Sequence, residues 1–541
     1  MAKSVELPQG KRTLKYRFFE ILPFVLSVLM VVLLPVFSAI SPVLGSVYLL
    51  LIVIMNLVKA VGISYRMIQG QKLVKQSVKV DWIQRIKELE DPENSLKALK
   101  KWNVKEYGFS DHLRNLDAIS KNPENYPKYE DIWHAVIVTL YNESIDVLGP
   151  TLESVLATTA DKKRMILLIA YEERGGEAAL ATAKALEKKY KNKFGHFELV
   201  MHPKDIKGEV VGKGGNITNA GRRLKDIVAE MKLEPKNVIV TTLDSDNRPD
   251  PCYFDQVTYE FIVHEDRQNL SYQPVSLFTN NIWDAPAITR VVATTNSFWN
   301  LICTMRPHLL RNFASHSQPL EALIGMDFWS TKTIVEDGHQ YWRSLFYFEG
   351  KYEVLPIRAP IRQDAVLSDT LFKTLKAQWV QLRRWDYGAS DVAYVGDYLF
   401  SKKRKMSFIS LFPKFYRLLE GHVTLAAVAP IIMFGGFVPL LFHLESRDLL
   451  SRHLPIVVSY IQTVAAIGIL ISIILSLKML PPKPKNCKNK PKIVMVIQWI
   501  LSPIISVVYS SFCAFYSQTR LAFGLYMEKF DVTDKSVKKH D

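Results

Sequence analysis

From Ile21 to Val58 the chain runs for 38 residues without a charged side chain. At about 1.5 Å per residue such a run reaches roughly 57 Å as a helix, nearly twice a hydrocarbon core of about 30 Å. Ser38 to Gly45, with Pro42, supplies a break, so two membrane helices are predicted, about 20–38 and 46–64. A cleaved signal peptide is excluded, because the apolar region is too long and a second span follows at once. Three more charge-free runs follow residue 422 and predict spans near 423–443, 455–478 and 493–516. Pro503 interrupts the last, which makes a re-entrant segment the alternative to a third crossing.

The formal net charge is +16, but the positive residues gather beside the apolar runs. Lys3, Lys11, Arg12, Lys15 and Arg17 precede the first. Lys402-Lys403-Arg404-Lys405 precedes the second block, and Lys483, Lys485, Lys488, Lys490 and Lys492 lie between its last two runs. This is the positive-inside pattern, reinforced by anionic membrane lipid, and it excludes a nucleic-acid face. It makes the chain a multi-pass protein of the cell membrane and leaves residues 59–421 in the cytosol. Cys252, Cys303, Cys487 and Cys513 show no C-x-x-C spacing, which argues against a disulfide framework or a zinc ribbon.

The middle of the chain alternates apolar strand candidates (134–140, 165–170, 197–202, 237–243) with helical patterns near 148–158, 175–190 and 216–232. This predicts an α/β domain with a mostly parallel sheet, whose ligand loops lie at the carboxyl ends of the strands. The charge-free stretch 291–305 is short for a span and predicts a buried or interfacial segment. Residues 407–419 mix aromatic and basic side chains, as a helix on the membrane surface does.

Chemistry-bearing residues follow those strands. The first strand runs into Tyr141-Asn142-Glu143-Ser144 and the second into Tyr171-Glu172-Glu173-Arg174-Gly175-Gly176, polar loops that could hold a nucleoside. Each is also what any polar surface loop looks like. Gly212-Lys213-Gly214-Gly215-Asn216 opens a helix, where backbone amides and a lysine suit an anionic group. The spacing is not that of a P-loop. The fourth strand ends in Asp244-Ser245-Asp246. Two carboxylates at a strand end suit Mg²⁺ or Mn²⁺ bridging a diphosphate, although the same tripeptide alone also marks a turn. Glu336-Asp337-Gly338 offers a general base or a helix cap. On a helix predicted over 371–386, Gln381, Arg384 and Trp385 share one face, with a guanidinium for diphosphate oxygens and a ring for a sugar. Trp385 packing inward beside surface arginines is the alternative.

The ordered set of Asp244-Ser245-Asp246, then Glu336-Asp337, then Gln381-x-x-Arg384-Trp385, set between membrane blocks, resembles the membrane-embedded family 2 glycosyltransferases. Cellulose synthases, hyaluronan synthases and ceramide glucosyltransferases share it. The likeness covers about 130–400 with the flanking spans. It implies a GT-A-like nucleotide-sugar-binding domain flanked by transmembrane helices. It further implies nucleoside contacts from Tyr141, Glu143 and Glu172, and Lys213 near the diphosphate. Asp244 and Asp246 would lie at the metal and nucleotide, and Asp337 would be the general base of an inverting transfer. Gln381 and Arg384 would bind the diphosphate and Trp385 the acceptor. The sequence departs from the family with Glu172-Glu173 where Asp-Asp is usual, and with Val335 in place of Thr.

The expected organisation is 1–66 as N-terminus and two spans, 67–400 as the transferase domain and 401–420 as an interfacial helix. A membrane block of about three apolar segments over 421–520 and a tail over 521–541 complete it. The expected activity is sugar transfer from a nucleotide donor, UDP-linked by preference, to a growing polysaccharide or a lipid. A single-transfer lipid glycosyltransferase is the alternative, and a channel or scaffold is the non-enzymatic one.

Overall fold

The computed structural model describes residues 5–8, 12–101, 105–442, 449–483 and 492–529. Lys3, Lys11, Lys485, Lys488, Lys490, Cys487 and the tail from 530 on, all weighed above, lie outside the described residues.

The first apolar run forms α1 (Leu14–Ile40) and α2 (Pro42–Ser77), separated only at the extended Ser41. Pro42 sits at the first helical position, where its missing N–H costs nothing. Helix α2 runs well beyond the predicted end and delivers the chain into the central domain.

That domain holds an eight-stranded sheet. Its strands are β1 (Trp133–Leu140), β2 (Met165–Glu172), β3 (His196–His202), β4 (Val238–Leu243), β5 (Arg248–Pro249), β6 (Leu270–Phe278), β7 (Ser317–Pro319) and β8 (Glu353–Gln363). The order across the sheet is β3-β2-β1-β4-β7-β6-β8-β5. Strands β1 to β4 are mutually parallel, β6 and β8 pair parallel, and β7 runs antiparallel to both β4 and β6. The four apolar runs predicted as strands are β1 to β4; β1, β2 and β4 are covered on both faces, which is why they read as continuous apolar stretches, whereas β3 at the sheet edge is only partly buried.

One face carries α3 (Ile145–Leu156), α4 (Gly176–Tyr190) and, further along the chain, α6 (Tyr253–Val263). Leu148, Leu152, Leu186, Tyr253 and Phe261 pack there with Val136 and Val138. The other face carries α5 (Lys213–Glu230), whose Ile217, Ala220, Leu224 and Ile227 meet Ala135, Ile137, Ile166 and Leu168. The chain steps outward from β1 to β3 and then returns to the far side of β1 as β4. The loops after β1 and β4 therefore lie side by side, and the crevice outside the carboxyl ends of these strands is where a sheet of this kind takes its ligand.

The charge-free stretch forms α7 (Ala287–Thr304), which is mostly buried and touches Gly70 of α2 through Leu301. It is followed by α8 (Glu336–Tyr347), α9 (Leu371–Asp386) and α10 (Asp391–Leu399). The surface helix expected over 401–420 is not a separate element. Residues Phe408–Phe434 form one helix, α11, continuous through Gly421 into the predicted span. Helix α12 (Leu449–Met479) and the apolar helix α13 (Ile493–Ala522), which contains a π-helical turn at Ser506–Ser511, complete the chain. Among the described residues four helices are long and apolar enough to cross a membrane: α1, α2, Phe408–Phe442 and α13.

The far end of the bundle gathers Leu34, Leu49, Ile52, Ile431, Leu454 and Val458. Helix α12 returns to the central domain, where Gln71 donates to the Leu475 carbonyl (3.5 Å) and Trp283 donates to that of Pro481 (3.1 Å). Helix α13 begins there too. Arg290 Nε donates to Gln498 Oε1 at 2.7 Å, and Met495 packs with Phe278, Ile282 and Trp283. It then runs parallel to α9. Tyr509, Cys513 and Ser517 donate in turn to the carbonyls of Leu375 (3.5 Å), Trp379 (3.7 Å) and Arg383 (2.6 Å). It ends where Arg17, at the domain end of α1, donates to the carbonyls of Leu521 (3.0 Å) and Ala522 (2.7 Å).

Candidate active site

The loops after β1 and β4 are joined across the crevice. Glu143 accepts from the backbone amides of Tyr141 (2.9 Å) and Asn142 (3.2 Å), and its other oxygen accepts from the Ser245 hydroxyl at 3.0 Å. Its carboxylate thus braces two strand-end loops. Beside it, Glu172 is buried and ion-paired with Arg174, whose guanidinium lies 5.3 Å from the Tyr141 ring centroid. Burial raises the Glu172 carboxyl above its ordinary range, and Arg174 only partly offsets this. Arg174 belongs to the strand-end loop singled out in the sequence, where the residue pattern gives it no role of its own.

At the opposite wall, α5 begins at Lys213, whose Nζ lies 2.6 Å from Asp244 Oδ1. Burial works against the charge on Lys213, but Asp244, Glu336 and Asp337 outweigh it and hold the ammonium above the ordinary lysine range. Gly214 lets this helix start meet the next element. A Cβ there would overlap the Ser330 carbonyl oxygen and come within 3.3 Å of the Glu336 Cβ. The start of α8 consequently lies against the start of α5, which brings Glu336 and Asp337 to the Lys213–Asp244 pair.

The two acidic neighbours differ in environment. Glu336 is 3% exposed, and burial, then the Asp337 charge, push its carboxyl up to about 8. Asp337 is half-buried, and its Oδ1 accepts from the Gly338 amide at 2.7 Å.

Asp246 is held in place from the distal half of the sheet. Its Oδ2 accepts from the Asp364 amide (3.0 Å), just past β8, and its carbonyl accepts from Asn280 Nδ2 (2.9 Å), just past β6. Neither partner carries a motif, and neither was predicted. Phe278, at the end of β6, packs against Trp385 with centroids 6.0 Å apart. This draws α9 toward the same region. Thr370 caps α9 by accepting from the Lys373 amide (3.2 Å). Gln381 Oε1 accepts from Gln378 Nε2 (3.1 Å), and Trp385 is 36% exposed, so it is not a core residue. Gln381 and Arg384 are half-buried on the same helix.

The structure therefore gathers Lys213, Asp244, Glu336 and Asp337 directly, and links Asp246 to Trp385 through the ends of β6 and β8. Among the described residues no group of three or more His, Cys, Asp or Glu forms a ready-made metal cage.

No protein-family model and no curated protein matches the chain. Among solved structures it is similar to the mannosyltransferase PcManGT from Pyrobaculum calidifontis in complex with GDP-Man and Mn2+. That match has 11% identity, a TM-score of 0.40, and covers 77% of this chain and 98% of that one. It is also similar to S. aureus TarS 1-349 in complex with UDP, at 10% identity and a TM-score of 0.34, covering 64% of this chain and 91% of that one. Likeness at this level assigns no activity.

Proposed function

We propose that the chain is a glycosyltransferase that moves a sugar from a nucleotide-linked donor to a hydroxyl of a polysaccharide or lipid acceptor at the membrane, with inversion. The observation that carries this reading is the meeting of Lys213, Asp244, Glu336 and Asp337 at the crevice between β1 and β4. It puts a cation suited to a diphosphate beside a half-buried carboxylate suited to an acceptor hydroxyl.

In this reading the loops at Tyr141, Glu143 and Glu172 form the nucleoside end of the crevice. Glu143 fixes the loop geometry, and Tyr141 offers the ring. Lys213 and Arg384 bind the diphosphate, assisted by Gln381, and lower the cost of the negative charge that grows on it as the sugar leaves. Asp337 takes the proton from the acceptor hydroxyl as its oxygen attacks the anomeric carbon from the side opposite the leaving diphosphate. Trp385 supports the acceptor.

Asp244 and Asp246 fit a divalent cation. Mg²⁺ needs only one or two protein carboxylates when phosphate oxygens and water complete its six ligands. Asp246 is already oriented by the Asp364 amide, and Asp244 is already balanced by a cation that a metal ion can replace. Bound there, Mg²⁺ or Mn²⁺ would neutralise charge on the leaving diphosphate.

The test is nucleoside diphosphate release by the purified protein in lipid, from UDP- and GDP-linked sugars, with primer and Mg²⁺ or Mn²⁺. Release that depends on Asp337 supports the reading. No release from any donor with either metal favours a scaffold. Product length separates polymer synthesis from single transfer to a lipid.

A further inference from the structure

Strand β7 runs antiparallel to β4, with Ser317 opposite Thr241. The residues just before Ser317 therefore lie at the carboxyl end of β4, beside Asp244-Ser245-Asp246. This short segment is tied to that end by several bonds. The Asn247 amide and the Ser315 hydroxyl are hydrogen-bonded, and Tyr253 OH donates to the Ser315 carbonyl at 3.4 Å. On the strand itself, the Ser317 hydroxyl meets those of Thr241 (2.7 Å) and Tyr253 (2.9 Å), on the α6 face. Gln318 points the other way and donates to Ser344 Oγ of α8 at 3.0 Å. Side chains two apart on a strand share a face, so His316 belongs with Gln318 on the face of α8 and α5.

His316 is 1% exposed. Its Nδ1 lies 2.9 Å from the Phe313 carbonyl oxygen, which accepts only, so Nδ1 carries the proton and Nε2 presents a lone pair. Nε2 has no hydrogen-bond partner among the described residues. Burial lowers the ring to about 4, and Asp337 and Lys213 are the charged groups that act on it. An uncharged imidazole that accepts hydrogen bonds beside the proposed base is unsuited to phosphate, whose oxygens bring no proton. It is suited to a hydroxyl. A buried acceptor without a partner costs stability, which a hydroxyl-bearing ligand recovers on binding.

We propose that His316 Nε2 accepts a hydrogen bond from an acceptor hydroxyl neighbouring the one that attacks, and so orients the acceptor against Asp337. This rests on the glycosyl-transfer reading above. His316 is then an acceptor-specificity residue and makes no contact with the donor.

Two isosteres separate the ring nitrogens. His316→Asn keeps a donor near the Nδ1 position and loses the Nε2 acceptor. His316→Gln places an amide oxygen near Nε2. Wild type and both variants, in lipid, are given UDP-glucose, UDP-N-acetylglucosamine and GDP-mannose as donors. Cellotetraose, chitotetraose or ceramide vesicles serve as acceptors. For whichever pair the wild type uses, His316→Asn is expected to raise the acceptor KM about tenfold, the loss of one hydrogen bond in a dry site. Donor affinity and slow donor hydrolysis by water should stay at the wild-type level, and His316→Gln should recover most of the loss. Equal kinetics in His316→Asn and wild type would overturn the proposal, as would equal loss in both variants, which marks a structural histidine. A change confined to donor affinity would overturn it too. If the wild type itself releases nothing from any donor, the function reading fails and takes this inference with it.

Discussion

Burial, aided by the adjacent Asp337 charge, pushes the Glu336 carboxyl up to about 8, so at neutral pH it mostly holds its proton, and Asp337 is the proposed base. Glu336→Gln imitates that protonated form and is expected to keep transfer. Asp337→Asn should lose about 10²–10⁴-fold in rate while donor affinity, measured by titration with the nucleotide sugar, stays near wild type. Reversal of these two outcomes would exchange their roles. Because the folded chain holds the Glu336 proton more tightly than the unfolded chain, this group makes stability fall as pH rises from its ordinary value of 4.5 toward about 8. Unfolding midpoints across that window should slope less in Glu336→Gln. At the metal position, Asp246→Asn keeps the bond from the Asp364 amide but halves the carboxylate charge available with Asp244. It should abolish metal-dependent activity with the fold retained by circular dichroism; a variant that turns over normally and ignores chelator removes the metal from the mechanism.

Where an element's signal is local, the sequence shows it. Helix α9 occupies the predicted Leu371–Asp386 because a threonine cap, a run of good helix formers and the 381–385 face all agree. Strands β1, β2 and β4 read clearly because burial on both faces leaves them apolar. Strands β6 and β8 do not, since Pro274, Pro356 and Pro360 lie within them and a proline argues against a strand. With them went the sequence's view of Asn280 and Asp364, the partners of Asp246. His316 was invisible for a similar reason: β7 is three residues long and its register depends on β4, seventy-odd residues earlier in the chain. The surface helix merged with its span because Gly421, a breaker in water, is tolerated inside a membrane helix. Gly214 tests how closely two of these elements must approach. Gly214→Ala puts a methyl group against the Ser330 carbonyl and Glu336 and should cost roughly 1–3 kcal/mol of overpacking strain. A larger fall in activity than in stability, compared by turnover and denaturant unfolding, would show that the α5–α8 contact sets the site.

At the scale of the whole molecule, both ends of α13 touch the layer of the central domain: Gln498 meets Arg290, and Leu521 meets Arg17. On this geometry α13, although long and apolar enough to cross a membrane, is expected to lie along that face and not to cross. The chain should then end on the side of the central domain, where Tyr526 OH donates to Glu20 (3.0 Å) and the Met527 amide donates to Tyr387 (3.2 Å). Epitope tags after residue 529 and in the loop before β1 should share the same protease protection in sealed vesicles; opposite protection would make α13 a crossing helix. The three bonds from α13 to the Leu375, Trp379 and Arg383 carbonyls carry a mechanical consequence. A helix lodged in one leaflet rises and sinks with that leaflet's thickness and lateral pressure, and the arm bearing Arg384 and Trp385 is fastened to it along its length. Turnover should therefore vary with acyl-chain length at fixed headgroup, so that the bilayer itself sets how closely the arm approaches the crevice.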